Sequence, residues 1–276
     1  MEKLADLHMH TFFSDGTFSS EKTVQEAIRQ GLSCIAITDH DTIDGVKPAL
    51  EAAKGTALEI ITGVELSTDL NGHDIHMLAY GFDLDDTSFT TLLNEWQSER
   101  RPRMQKMIEK LKEMGMKDLH LDEVSALAKS KSVGRMHLAT ILAQKGYVKD
   151  NQEAFDKYIG TGKPAYVGRK QVTPFEVIAA IDRAGGAAVL AHPMLTKVDE
   201  LIPEMARQGL KGLEVFYPNT ADHLANFYKK LAEKYNLIVT GGSDAHGAAK
   251  KNTYLGKVKI PYEYVEQLKG AMKRGR

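Results

Sequence analysis

The chain has 276 residues, 42% of them hydrophobic and 26% charged, with a formal net charge of −1. That length can bury a large core, either as one α/β domain or as a barrel with an insertion. The charge balance excludes a globally basic nucleic-acid binder and leaves only a local patch for such a role, and no run approaches the roughly 20 apolar residues of a membrane span.

The first residues, Met1-Glu2-Lys3-Leu4-Ala5-Asp6, form no apolar leader. A strand is expected over 4–7, then a helix over 21–30 opened by the Ser19-Ser20 cap signal. Strands follow over 33–38, 58–62 and 75–80. The single cysteine, Cys34, lies in the apolar run Cys34-Ile35-Ala36-Ile37 and reads as a buried small hydrophobe. A chain with one cysteine has no internal disulfide and fits the cytoplasm.

From about 87 to 162 the pattern changes. This stretch is charged, lacks a clear β-run and carries a helical stripe of Leu92, Trp96, Met104, Met107, Ile108, Leu111 and Met114, read as core. Pro102 breaks or restarts that helix, because the residue before a proline avoids the α region. Gly115 and the capping-type run 118–123 announce another helix. Beyond it, helices over 174–184, 201–208 and 221–235 alternate with strands over 187–191, 212–216 and 237–240. Alternation of this kind predicts βα units around a mainly parallel sheet. The expected domains are a barrel from 1–86 and 163–276 and an all-helical insertion over 87–162.

Three chemical clusters each follow an expected strand: Asp6-Leu7-His8-Met9-His10 with Ser14-Asp15-Gly16, then Thr38-Asp39-His40-Asp41, then Gly242-Ser243-Asp244-Ala245-His246. In extended chain, side chains two apart share a face, so His8/His10 and Asp244/His246 can each converge. Glu65, His76 and His192 are also expected at or near strand ends, where barrel enzymes carry their chemistry. Six of the ten histidines fall in this set. Imidazole plus carboxylate without thiolate suits Mn²⁺, Fe²⁺ or Zn²⁺. His73, His120 and His223 read as surface or packing residues, and His137 stands out only through its neighbour Arg135.

The order His8-x-His10, Asp15, Thr38-Asp39-His40, Glu65, His76, His192-Pro193, Ser243-Asp244-x-His246 resembles the PHP (polymerase and histidinol phosphatase) superfamily, from the first residues to about Gly247. The resemblance implies a distorted (β/α)₇ TIM-like barrel holding two or three divalent ions, Mn²⁺ foremost. One ion would take His8, His10, Glu65 and Asp244. A second would share Glu65 and add His76 and His192. A third would use Asp15, His40 and His246, with Asp15 standing where some relatives have histidine. Ions paired in this way activate water and polarise a phosphoryl oxygen. Glu65 is expected to bridge them, while Asp15, His40 and His246 hold the third ion or protonate the leaving oxygen.

Arg100, Arg101 and Arg103 surround the helix break, and Arg135 lies in the same insertion. Arginine's planar fork suits phosphate oxygens, although a charge run is as often a solvated face. Both stretches look like the phosphate-binding segments of a PHP branch that hydrolyses nucleoside 3′,5′-bisphosphates, similar members of which trim RNA from its 5′ end. Asp15 and His40 are expected to touch substrate as well, and Lys163 or Tyr166 could join the pocket. The expected substrates are therefore small phosphorylated nucleotides and short single-stranded RNA, with no membrane and no obligate protein partner. The alternatives are a histidinol-phosphate-type monoesterase, a non-catalytic PHP module and a metal-dependent amidohydrolase.

Overall fold

The computed structural model describes residues 2–128, 132–168, 172–249 and 254–272. The chain begins with β1 (Leu4–Asp6), α1 (Ser20–Arg29), β2 (Cys34–Ile37) and α2 (Val46–Ala53). Ser19 caps α1 by accepting from the Lys22 N–H. A long hairpin follows, β3 (Glu59–Leu70) and β4 (His73–Tyr80), joined by Asn71-Gly72. Both turn residues have positive φ, 54° and 83°, as a two-residue turn matched to strand twist requires.

Among the described residues the next segment is helical: α3 (Thr87–Ser98), α4 (Arg100–Glu113), α5 (Leu121–Ala128), α6 (Arg135–Gln144), α7 (Asn151–Ala154) and a π turn, Phe155–Ile159. Glu99 separates α3 from α4, and Pro102 sits in the first turn of α4, where its missing N–H costs nothing. The chain then alternates through α8 (Pro174–Arg183), β5 (Ala187–Leu190), α9 (Pro193–Thr196), α10 (Ile202–Arg207), β6 (Gly212–Phe216), α11 (Asp222–Lys234), β7 (Ile238–Gly241), β8 (Ile260–Pro261) and α12 (Tyr262–Ala271).

The strands form one sheet in the order β7-β6-β5-β4-β3-β2-β1-β8. The Leu7 N–H donates to the Gly241 carbonyl at 3.2 Å, and Met9 bridges Ala245 in parallel, so β1 and β7 close the ring at its upper end. Below them, β8 pairs antiparallel to β1. The result is a nearly closed, distorted TIM-like barrel. Its parallel run is interrupted by β4, antiparallel to both β3 and β5. Consequently Glu65 and His76 lie inside the long hairpin strands and not at strand ends.

Alternate residues fill the barrel: Ala5 and Leu7, Cys34 and Ala36, Leu78 and Tyr80, Ala187 and Val189, the period of two that strands impose. Cys34 is fully buried there. A separate cluster joins Met104, Met107, Ile108 and Leu111 to Leu119, Leu138 and Leu142. Phe89 and Leu93 of α3 belong instead to the cluster between barrel and outer helices. Met114, expected in the core stripe, is 43% exposed, because α4 ends at Glu113 and Met114 is its C-cap.

Candidate metal centre

The upper rim of the barrel gathers the predicted side chains around Glu65. One Glu65 oxygen, Oε2, lies 3.2 Å from His8 Nε2, 3.1 Å from His10 Nε2 and 3.1 Å from His40 Nδ1. The other, Oε1, lies 2.7 Å from His76 Nδ1 and 3.1 Å from His192 Nε2. Asp244 Oδ1 is 3.1 Å from His10 Nε2. Asp15 Oδ1 is 3.1 Å from His246 Nε2, and Asp15 Oδ2 is 3.9 Å from His40 Nε2. Ligand atoms converge within 4.8 Å in three groups: His8, His10, Glu65 and Asp244; His10, Asp15, His40 and His246; and His40, Glu65 and His76. His10, His40 and Glu65 are thus each shared between two groups, and His192, outside all three, lies against Glu65 Oε1.

These groups are buried yet incompletely satisfied. Asp15 Oδ1, Glu65 Oε2, His40 Nδ1, His76 Nε2 and His192 Nδ1 make no hydrogen bond, a concentration of unsatisfied atoms that a bound ion would explain. His246 sharpens the point. Its Nδ1 donates to the Asp244 carbonyl at 2.8 Å, so in the neutral ring Nε2 is a lone pair facing a carboxylate oxygen. Two acceptors at that distance need a proton or a cation between them. Burial disfavours the charged form of His10, but Asp244 and Glu65 outweigh it and push the imidazole up to about 9. Burial likewise opposes charge on His76, which Glu65 and Asp74 push up to about 9. Burial would raise Glu65, yet the facing imidazoles of His40, His76 and His8 hold it well below the usual carboxylate range. The donor set therefore fits divalent cations, which would take the place of these protons.

A ring of supporting residues aims the ligands. Glu214 accepts from His8 Nδ1 at 2.9 Å and from the His192 N–H at 2.9 Å, an arrangement that turns His8 Nε2 inward. Tyr217 donates its phenol to Asp244 Oδ2 at 2.8 Å and packs edge-on against His192. Asp39 accepts from Thr11 N–H, Thr11 Oγ1 and Ser14 Oγ, anchoring the loop that carries Asp15. Asp6 accepts from the Ser243 and Gly256 N–H groups, and burial raises it to about 6. Gly242 lets β7 approach β1 closely, since a Cβ there would lie 2.3 Å from the His8 nitrogen. Asp41, His192 and Asp244 all hold positive φ, 52°, 29° and 46°, a concentration of backbone strain of the kind found at functional sites. Sequence reasoning missed Glu214 and Tyr217. The signal for Glu214 was available, a lone acid inside the apolar strand run Gly212-Leu213-Glu214-Val215-Phe216.

The insertion touches the rim through its arginines. Arg100 is 5% exposed and donates through Nε to Asp41 Oδ2 at 2.8 Å, through Nη2 to the same oxygen, and through Nη1 to the Val133 carbonyl. Asp41 in turn accepts from the Ser67 N–H, so Arg100 is bound to the segment after β2 that carries His40 and to the middle of β3 beside Glu65. Arg135 pairs with Asp74 Oδ2, whose partner oxygen lies 3.6 Å from His76 Nε2. The Phe155 and Tyr166 rings flank Arg135, each centroid 5.6 Å away. Arg103 donates to the Val167 carbonyl and lies over Tyr166. Arg101 is half-exposed, 3.9 Å from Asp122, and Lys163 is exposed. His137 is buried against the rim. It accepts from the Gly134 N–H at the start of α6. His73, His120 and His223 are exposed, away from the cluster.

Among the described residues, no helix is long and apolar enough to cross a membrane. The chain is similar to a 5′-3′ exoribonuclease of Haemophilus influenzae, 35% identical over 89% of this chain and 91% of that one. It is also similar to a 3′,5′-nucleoside bisphosphate phosphatase of Chromobacterium violaceum, 27% identical over 91% and 90%. A crystal structure from Bifidobacterium adolescentis, proposed as a metal-dependent phosphoesterase, superposes with a TM-score of 0.88 at 31% identity, covering 97% and 96% of the two chains. The PHP domain model matches residues 6–246, a span that takes in every histidine and carboxylate of the cluster, and the chain belongs to the PHP domain family.

Proposed function

We propose that the chain is a metal-dependent phosphoesterase that removes the 3′-phosphate from nucleoside 3′,5′-bisphosphates, giving nucleoside 5′-monophosphates. The same site would trim short single-stranded RNA from its 5′ end, since a 3′ phosphodiester is cut by the same phosphorus chemistry. The observation that carries this reading is a juxtaposition: a buried imidazole–carboxylate cluster with orphaned donor atoms lies under guanidinium groups tied to its rim through Asp41 and Asp74. The barrel segments 1–86 and 163–276 supply the metal platform in this reading, and the helical segment 87–162 supplies the phosphate grip. A cytoplasmic setting fits a chain whose one cysteine is buried.

Divalent ions held by His8, His10, Glu65 and Asp244, by Glu65, His76 and His192, and by Asp15, His40 and His246 would lower the pKa of water and polarise a phosphoryl oxygen. Mn²⁺ suits these nitrogen and oxygen donors, as do Fe²⁺ and Zn²⁺. The chain's own residues do the rest. Arg135, with Arg103 and Arg101 from α4, binds the 5′-phosphate and sets which end of the nucleotide reaches the cluster. Arg100 holds the β2 and β3 rim in place and adds its positive charge beneath that phosphate. Asp15 and His40 orient the ribose side of the substrate. His246 has Nδ1 committed to the Asp244 carbonyl, so its Nε2 would either hold the third ion or, where that ion is not bound, hand a proton to the departing O3′.

Product analysis of the Mn²⁺-loaded protein with adenosine 3′,5′-bisphosphate, 3′-AMP and 5′-AMP tests the assignment. Fast conversion of the bisphosphate to 5′-AMP, with slow attack on both monophosphates, is expected. Brisk attack on simple monoesters without bisphosphate turnover would instead favour a histidinol-phosphate-type monoesterase. The pairing of Arg100 and Arg135 with barrel carboxylates is the feature that favours that second reading.

A further inference from the structure

A cavity of about 310 Å³ opens beside the metal cluster at the upper end of β6. Its walls include Phe216, Tyr217 and Val258, with Thr220, Asn226, Lys229 and the acidic Asp222 as polar members. That volume reaches the lower end of the range for small-molecule sites, roughly 300–1,000 Å³. Thr220 Oγ1 is buried on this wall and has no hydrogen-bond partner. Lys229 Nζ lies 4.6 Å from the Phe216 ring centroid. Aromatic faces, a hydrogen-bonding edge and a nearby cation are the combination that holds an unpaired base and its backbone.

The position is as informative as the lining. Tyr217 forms part of the cavity wall and also bonds Asp244, so one side chain separates the cavity from the cluster. Around the ring of seven strands the insertion reaches the rim at β2, β3 and β4, through Asp41, Ser67 and Asp74. The cavity at β6 lies across the cluster from that arc. A strand of RNA with its 5′-phosphate under the insertion and its first internucleotide phosphate at the cluster would carry its next nucleoside toward β6.

We propose that this cavity is the subsite for the base of the second nucleotide, the one that keeps the scissile phosphate on its O5′. The proposal rests on the nucleotide-hydrolase reading above. In the step concerned, water adds to phosphorus and the P–O3′ bond breaks. The first nucleoside leaves with its O3′ protonated, and the shortened RNA retains a 5′-phosphate. A bisphosphate has no second nucleoside and leaves the cavity unused. The cavity therefore separates RNA trimming from bisphosphate hydrolysis at one shared cluster.

The test compares adenosine 3′,5′-bisphosphate with the 5′-phosphorylated dinucleotide pApA, using the Mn²⁺-loaded full chain and its Ala225→Trp variant, which fills the cavity from α11. The expected result is a rise of about tenfold or more in KM for pApA, the scale of one lost base stack, with bisphosphate kinetics within about twofold, inside the ordinary scatter of surface substitutions. Asn226→Ala and Thr220→Val give the same split more weakly and serve if the tryptophan variant does not fold. Equal effects on both substrates, or none on either, would overturn the subsite. Calorimetric titration of the metal-stripped protein with each compound is the second readout. If wild type turns over neither substrate yet binds pApA more tightly than the bisphosphate, and Ala225→Trp abolishes that preference, the cavity stands and the hydrolase reading falls. No preference for pApA in either readout removes the cavity.

Discussion

The metal cluster and the insertion's arginines face each other across the barrel rim, but they are held at rest in opposite ways. The cluster is left wanting: five of its buried donor atoms make no hydrogen bond, and His246 Nε2 faces a carboxylate. The principal arginines are satisfied already. Arg100 is locked onto Asp41 and the Val133 carbonyl, and Arg135 onto Asp74 between two aromatic rings. The cluster's side chains are carried by a sheet whose interior beneath them is filled by packed apolar residues. The two arginines on the insertion's helices instead pair with carboxylates of the barrel. The cluster thus has donor atoms open to ions, whereas Arg135 already has Nη2 committed to Asp74.

The sharpest way to break this contrast is Glu65→Ala. Removing the one side chain that touches five imidazoles should empty the centre of metal and reduce turnover to background, measured by metal content and hydrolysis together. Retained metal and full turnover would mean that the cluster is not organised around Glu65.

Next in size is the arginine side. Arg100→Ala leaves the buried Asp41 carboxylate without its guanidinium partner, which should cost about 3–5 kcal/mol of stability. Arg101→Ala, at a half-exposed and loosely paired position, should cost no more than about 1 kcal/mol. Denaturant melts of the two variants measure the difference, and equal losses would erase the distinction between a buried strut and a surface charge.

The smallest effect concerns protons. His10 and His76 are pushed up to about 9 in the metal-free chain. Their stabilising contribution is therefore fully present below the unfolded value near 6.5 and is lost as pH rises through about 9. Metal must displace the same protons to bind. The gain in melting temperature on adding Mn²⁺ should accordingly grow between pH 6.5 and 9, by about 2–4 °C for each kcal/mol involved. A gain that shrinks over that range would show that the rings are not protonated at rest.

Much of this was legible in the primary structure. Apolar runs placed seven strands within a few residues of their observed bounds, apart from the extension of β3 to Leu70, because a strand's burial is written in its own local pattern. The hairpin went unread although Asn71-Gly72 is a strong turn signal, because the polar residues of 67–74 mask the alternation on either side. A short edge strand such as β8 carries two residues and no periodicity. The histidines and carboxylates were identifiable by type and spacing. Glu214, Tyr217 and the carboxylate partners of the arginines were not, since each acts on a residue that is remote in sequence.

Sequence alone therefore determined which side chains could form a cation site and where most of the barrel strands lie, because backbone propensity and ligand chemistry are local properties. Tertiary structure decided the remainder: that Glu65 sits mid-strand at the hub of five imidazoles, that Arg100 is bound to Asp41, and that a cavity lies behind Tyr217. Each of these depends on barrel closure, which brings together strand ends up to 236 positions apart, from His8 to Asp244.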